Sequence, residues 1–208
     1  MSVKNIQEII KDIESDILKP EVIKDNKIIF FCDDNVYRVR MPNQLETLKA
    51  IQKRNEYEVM LLNEENTLTL KQLKKVLKGK GVDIGAMEKE LLVLENKMLH
   101  VYERLAPRPD TDVEGIKSDK ETIQKIKDER NEIIDEISKR ISPSIDIQAE
   151  NYYMSYLTSI CTEKNVELED KPVWEAEWKS FNEYLQTEDS DLKFYGMGYL
   201  SQLMMKAK

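Results

Sequence analysis

Two apolar stripes with heptad spacing, separated by a short proline-containing break, constrain this chain more than any other feature. Ile84, Met87, Leu91, Leu94, Met98, Val101 and Leu105 follow one another in steps of three and four. After Ala106-Pro107-Arg108-Pro109 a second stripe runs Ile116, Ile123, Ile126, Ile133, Ile137 and Ile141. Such spacing keeps one seam on one face of a helix, so each segment needs a partner helix. The break is long enough only to turn the chain around. An antiparallel helical hairpin is the simplest product, closed either in cis or between subunits. A hairpin of this kind is a scaffold or docking device and carries no chemistry.

The flanking segments read as mostly helical. Ile6, Ile9, Ile10, Ile13 and Ile17 have helical spacing, with Ser2 as cap and Lys19-Pro20 as stop. The clear β signal is Ile28 to Phe31 and Val36 to Val39 around Asp33-Asp34-Asn35, a hairpin with good turn chemistry. An isolated hairpin is marginal in water, so it must pack on a helix or pair with another strand. Asn43 with Glu46 forms a capping box that opens a long helix, whose buried side is expected to carry Leu45, Leu48, Ile51, Val59 and Leu62. Thr69 with Gln72 caps a short helix that Gly79 and Gly81 stop, and Asp83 caps the first arm of the heptad hairpin.

The second arm is dense in opposite charges three and four residues apart, which supports an exposed helix. Arg130 interrupts its seam. It either fixes the register of the pair or snorkels to water at the rim. After Ser142-Pro143, Ala149, Tyr153, Tyr156, Leu157 and Ile160 line one helix, and Trp174, Trp178, Phe181 and Leu185 suggest a second aromatic helical stripe. Asp189 or Ser190 caps a final helix with Phe194, Met197, Leu200, Leu203 and Met204 inward.

The expected fold class is therefore mainly α. It comprises a helical bundle with a long antiparallel coiled-coil hairpin and a small N-terminal β-hairpin. The expected organisation is an amphipathic helix over 1–20, a β-hairpin with helices over 21–82, a hairpin arm over 83–142, and an aromatic-rich helical module over 143–208.

Composition narrows the function classes. The net charge is -8 and the isoelectric point is near 5.0. That argues against non-specific nucleic-acid binding, which needs a positive surface. Lys71, Lys74, Lys75, Lys78 and Lys80 are the best candidate for a local basic patch, against the plainer reading as the solvated face of a helix. Cys32 and Cys161 each sit among apolar residues, as buried reduced thiols do in a reducing cytosol. The first residues lack a secretory core, and no apolar run is long enough for a bilayer, so no membrane partner is expected. A lone His100 cannot build a His-based metal site, and nothing brings it to either cysteine. Gly79-Lys80-Gly81 follows a helix and lacks the ending of a phosphate loop, while Gly196-Met197-Gly198 lies inside a helix, where small residues allow close packing. The paired acids fit no calcium loop. No catalytic, cofactor-binding or metal-binding residue is expected, and no enzyme. The candidate partner-binding positions are the seam residues Leu91, Leu94, Met98, Leu105, Ile126, Arg130, Ile133 and Ile137, with Leu92 and Ile134 outside the two-helix seam.

The order of these elements resembles a group of structural or tail and baseplate assembly-type proteins of tailed bacteriophages. The resemblance runs over roughly 36–205. Its motifs are Val39-Arg40-Met41-Pro42 closing the hairpin, Leu68-Thr69 through Gln72-Leu73-Lys74-Lys75 with Leu77, Gly81 and Asp83, a charged helical hairpin, Tyr152-Tyr153 with Tyr156-Leu157 and Cys161, Pro172-Val173-Trp174, and Phe181 to Leu185. The Ile-rich N-terminal segment has no place in that pattern. The resemblance implies a non-enzymatic role in virion or tail assembly inside an infected bacterium, as a chaperone or a virion component. Partners would be other phage structural proteins or further copies of this chain. Its motifs are packing and capping residues, so no functional residue carries over. A cytosolic coiled-coil adaptor or regulator is the alternative reading.

Overall fold

A computed structural model describes residues 22–206 apart from 25, 34, 66, 110, 169 and 170. The N-terminal stripe Ile6 to Ile17 lies outside the described residues. Seven helices and five strands occur among the described residues, and the chain is mainly helical. They fall into two compact units: those between 66 and 147, and those between 17 and 65 together with those between 148 and 208.

The second unit is built on a five-stranded antiparallel sheet in sequence order: β1 (Val22–Lys24), β2 (Lys27–Cys32), β3 (Asn35–Arg40), β4 (Thr162–Leu168) and β5 (Lys171–Ala176). The expected hairpin is β2 with β3, in a register that pairs Ile28 with Val39 and Phe30 with Tyr37. Asp33 has a positive φ of 50°, which suits a tight hairpin turn between strands ending at Cys32 and starting at Asn35. The period of two puts Ile28, Phe30 and Cys32 in the core while Phe31 faces out.

The expectation of a second aromatic helix is corrected here. Trp174 lies in β5, Trp178 in the following loop, and only Phe181–Gln186 forms a short helix, α6, capped by Ser180. Leu185 is exposed. β4 starts without a break after α5 (Ile145–Cys161) and pairs with β3 through Val39–Thr162 and Tyr37–Lys164. Among the described residues β5 is an edge strand, the place where a sheet admits a proline.

The same unit contains α1 (Gln44–Leu62) and α7 (Ser190–Lys206). Both arms of the Asn43–Glu46 capping box form, at 2.9 and 2.8 Å. α7 is capped by Asp189, whose carboxylate accepts from the Leu192 N–H at 2.8 Å. α7 packs on β2 and β3, with the Phe30 ring 4.8 Å from that of Tyr199. Gly196 permits close approach: a Cβ there would stand 3.1 Å from both Thr158 Cγ2 and Thr162 Oγ1. Ile28, Val39, Ala50, Leu157, Cys161, Leu192 and Leu200 centre one core. Phe194, expected inward, is exposed and packs edge-on with Tyr195.

The first unit holds α2 (Leu70–Gly79), α3 (Ile84–Leu105) and α4 (Val113–Ile141). Thr69, Asp83 and Asp112 cap them. Gly81, with φ +88°, turns the chain after α2. Leu94, Val101 and Tyr102 of α3 pack with Ile123 and Ile126 of α4. Asp119 is buried, yet Arg104 and Arg108 both donate to its carboxylate. The hydrogen bond from Arg104 first, then that from Arg108 and the two charges, hold its pKa below the usual carboxylate range against the opposing effect of burial.

Candidate protein-contact surfaces

α1 is amphipathic in an unexpected sense. Its inward face carries Ala50 and Leu61, both buried. Tyr57 lies on the same face and stacks on Tyr152 of α5 with 4.2 Å between ring centroids. Arg54 reaches Glu150 at 3.4 Å. The residues expected to be buried lie on the opposite side: Leu45 is 61% exposed, Leu48 58%, Val59 58%, Leu62 56% and Ile51 40%. A small alanine and a stacked tyrosine make the core contact, while the larger aliphatic side chains remain in solvent. Leu48, Ile51, Gln52, Asn55, Glu56 and Val59 line a shallow groove along this face.

The helix is held rigidly enough to present that face. Arg40 donates through both terminal nitrogens to the Glu46 carboxylate at 2.8 Å, through Nε to Glu163 at 3.0 Å and through one terminal nitrogen to the Ile160 carbonyl at 3.0 Å. Arg38 also donates to Glu163 and sits over the Trp174 ring at 4.5 Å. Glu46 is pulled below its ordinary pKa, chiefly by the hydrogen bonds from Arg40. One half-buried ion cluster thus ties β3, the start of α1, the end of α5 and β4 together.

A second apolar stripe lies on α3. Leu92 and Leu99, seven residues apart, are exposed along with Val93. The expected partner-binding positions lie mainly on the other side of that helix and on α4. Leu94 and Ile126 are buried in one cluster, with Met98, Leu105 and Ile133 half-buried against it. Ile137 is buried and Leu91 half-buried. Arg130 is half-exposed at the rim and forms an ion pair with Glu95 at 3.6 Å. Ile134 is half-buried and Leu92 open to solvent.

Other chemistry-bearing groups have structural surroundings. His100 is exposed and its Nδ1 lies 3.2 Å from Glu103. Burial pushes the Cys161 thiol up to about 12. Cys32, Asp33 and Asp189 come within ligand distance of one another. Burial and the nearby carboxylates raise the Cys32 thiol pKa, which keeps it protonated, and Asp189 is engaged in capping α7. Among the described residues no helix is long and apolar enough to cross a membrane.

Comparison with models of protein families, with curated proteins and with solved structures gives no match to this chain.

Proposed function

We propose that this chain is a non-enzymatic assembly protein of a tailed bacteriophage, a tail or baseplate chaperone or a virion component, which acts through protein–protein contacts. The observation that carries the contact reading is the placement of large aliphatic side chains in exposed helical stripes on α1 and α3. These helices are packed on their other faces, so the open stripes are surplus to the core. Contiguous exposed apolar surface rimmed by polar residues is a mark of protein–protein contact sites. The phage assignment rests on the sequence resemblance. The motif residues that carry it support a scaffold: Val39, Leu157 and Cys161 are in the core, Arg40 centres the ion cluster, and Phe181 and Tyr184 pack in the aromatic layer.

Mass spectrometry of purified particles, alongside affinity capture from the producing cells, tests this reading. A virion component is found in finished particles. A chaperone is captured with a tail or baseplate protein and is absent from particles. Failure to find the chain with any particle or assembly intermediate would reject the assignment and favour the adaptor reading.

A further inference from the structure

The outward face of α1 carries a heptad seam of its own. Leu45, Leu48, Gln52, Asn55, Val59 and Leu62 step by three, four, three, four and three residues. That spacing lays them along one line of the helix, directly opposite Ala50, Tyr57 and Leu61. From either end the line reads two large aliphatic residues, then an amide. A near-palindrome of this kind is what an isologous contact requires, because a two-fold axis sets each residue against its counterpart in reverse order.

We infer that α1 pairs antiparallel with α1 of a second copy of this chain, about a two-fold axis between Gln52 and Asn55. Leu45 then meets the partner's Leu62, and Leu48 meets the partner's Val59. Gln52, whose amide donates to Glu56 of its own helix at 2.9 Å in the single chain, meets the partner's Asn55, and an exchange of that bond for an amide–amide pair at the centre sets the register. Charge complementarity selects this direction. Lys49 comes beside the partner's Glu56, adding a second cation to a carboxylate that already accepts from Lys53 of its own helix at 2.7 Å, and the pair occurs twice by symmetry. Within one helix these residues are seven positions apart, two full turns, and cannot pair with each other. A parallel alignment would instead set Lys49 beside the partner's Gln44. The helix needs no folding on association, because its capping box and its inward face already hold it.

This inference rests on reading the outward face of α1 as a protein-contact surface, and it is independent of the phage assignment. Sedimentation velocity and light scattering of the full chain over a dilution series test it. The expected species has twice the chain mass of 24.5 kDa. Leu48→Asp, at an exposed position, leaves the circular dichroism spectrum unchanged and weakens the dimer on the order of 100-fold. Lys49→Glu and Glu56→Lys each weaken it roughly fivefold, and the double variant restores it. A chain that stays monomeric throughout overturns the inference. So does a dimer indifferent to Leu48→Asp, or a double swap that fails to restore pairing. A monomer whose capture of an assembly protein is lost in Leu48→Asp would sink self-pairing alone. A dimer that meets the expectations above, in a chain found with no phage protein, would sink the assembly role alone.

Discussion

Arg40 shows how one side chain can join segments far apart in sequence. It sits at the end of β3 and donates to Glu46, Glu163 and the Ile160 carbonyl. The motif that contains it, Val39-Arg40-Met41-Pro42, stands out in the sequence, but its partners do not. Glu163 lies 123 positions away, and one acid among forty Asp and Glu residues carries no mark of its role. The acid limb of stability should expose this cluster. Glu46 has a folded pKa below its ordinary value of 4.5. Its contribution is therefore complete above the unfolded value and is lost as pH falls through the lower folded one. Glu177 acts in the opposite direction, since burial raises its pKa and its protonated form is favoured by folding. Replacing Glu46 with Gln should cost on the order of 1 kcal/mol at neutral pH. It should also flatten the fall of the melting temperature between about pH 5 and pH 3. Thermal melts across that range compare the two proteins; parallel curves would mean that Glu46 does not report on folding.

At the scale of elements, local chemistry was legible and long-range pairing was not. The caps at Asn43, Thr69 and Asp83 were readable and the fourth was narrowed to Asp189 or Ser190, of which Asp189 holds it, because each depends on a side chain and a backbone N–H three positions away. β4 and β5 were hidden. Their sequences, TEKNVEL and KPVWEA, are charged, a proline interrupts the second, and β3, the strand that ties β4 into the sheet, lies more than a hundred residues upstream. Local pattern cannot encode that pairing. α1 was readable as a helix, but its orientation was inverted because it has two apolar stripes and the bulkier one is outside. The candidate surface was therefore visible as residues and misassigned as core. The α3 helix offers a cleaner contrast between the two kinds of stripe. Leu94 is 4% exposed in the contact with α4, whereas Leu92, two positions earlier, is 59% exposed. Leu94→Ala should destabilise the unit by about 2–4 kcal/mol, and Leu92→Ala should stay within about 0.5 kcal/mol. Urea titrations of both variants measure this. Equal losses would show that Leu92 has a packing role the fold does not display.

For the whole molecule, the informative property is that one compact unit is assembled from both ends of the described chain. Strands β1 to β3 and helix α1 come before residue 66, and β4, β5, α6, α7 and most of α5 come after residue 147. Its sheet cannot close until both segments are present, since β3 pairs with β4. The intervening residues have their own buried cluster, centred on Leu94, Tyr102 and Ile123, none of which belongs to the core around Ile28 and Leu200. Separate cores imply separate folding competence. Both tryptophans report on the discontinuous unit alone: Trp178 is buried against Tyr184, and Trp174 is covered by Arg38. A chain in which residues 66–144 are replaced by a flexible Gly/Ser linker of about ten residues should therefore keep the blue-shifted emission of Trp178 and a cooperative melt. The excised segment, expressed by itself, should keep its helical circular dichroism with no tryptophan signal. Red-shifted, non-cooperative behaviour of the linked chain would show that the sheet unit depends on the helices inserted into it. In that case the two clusters would form one folding unit despite their separate cores.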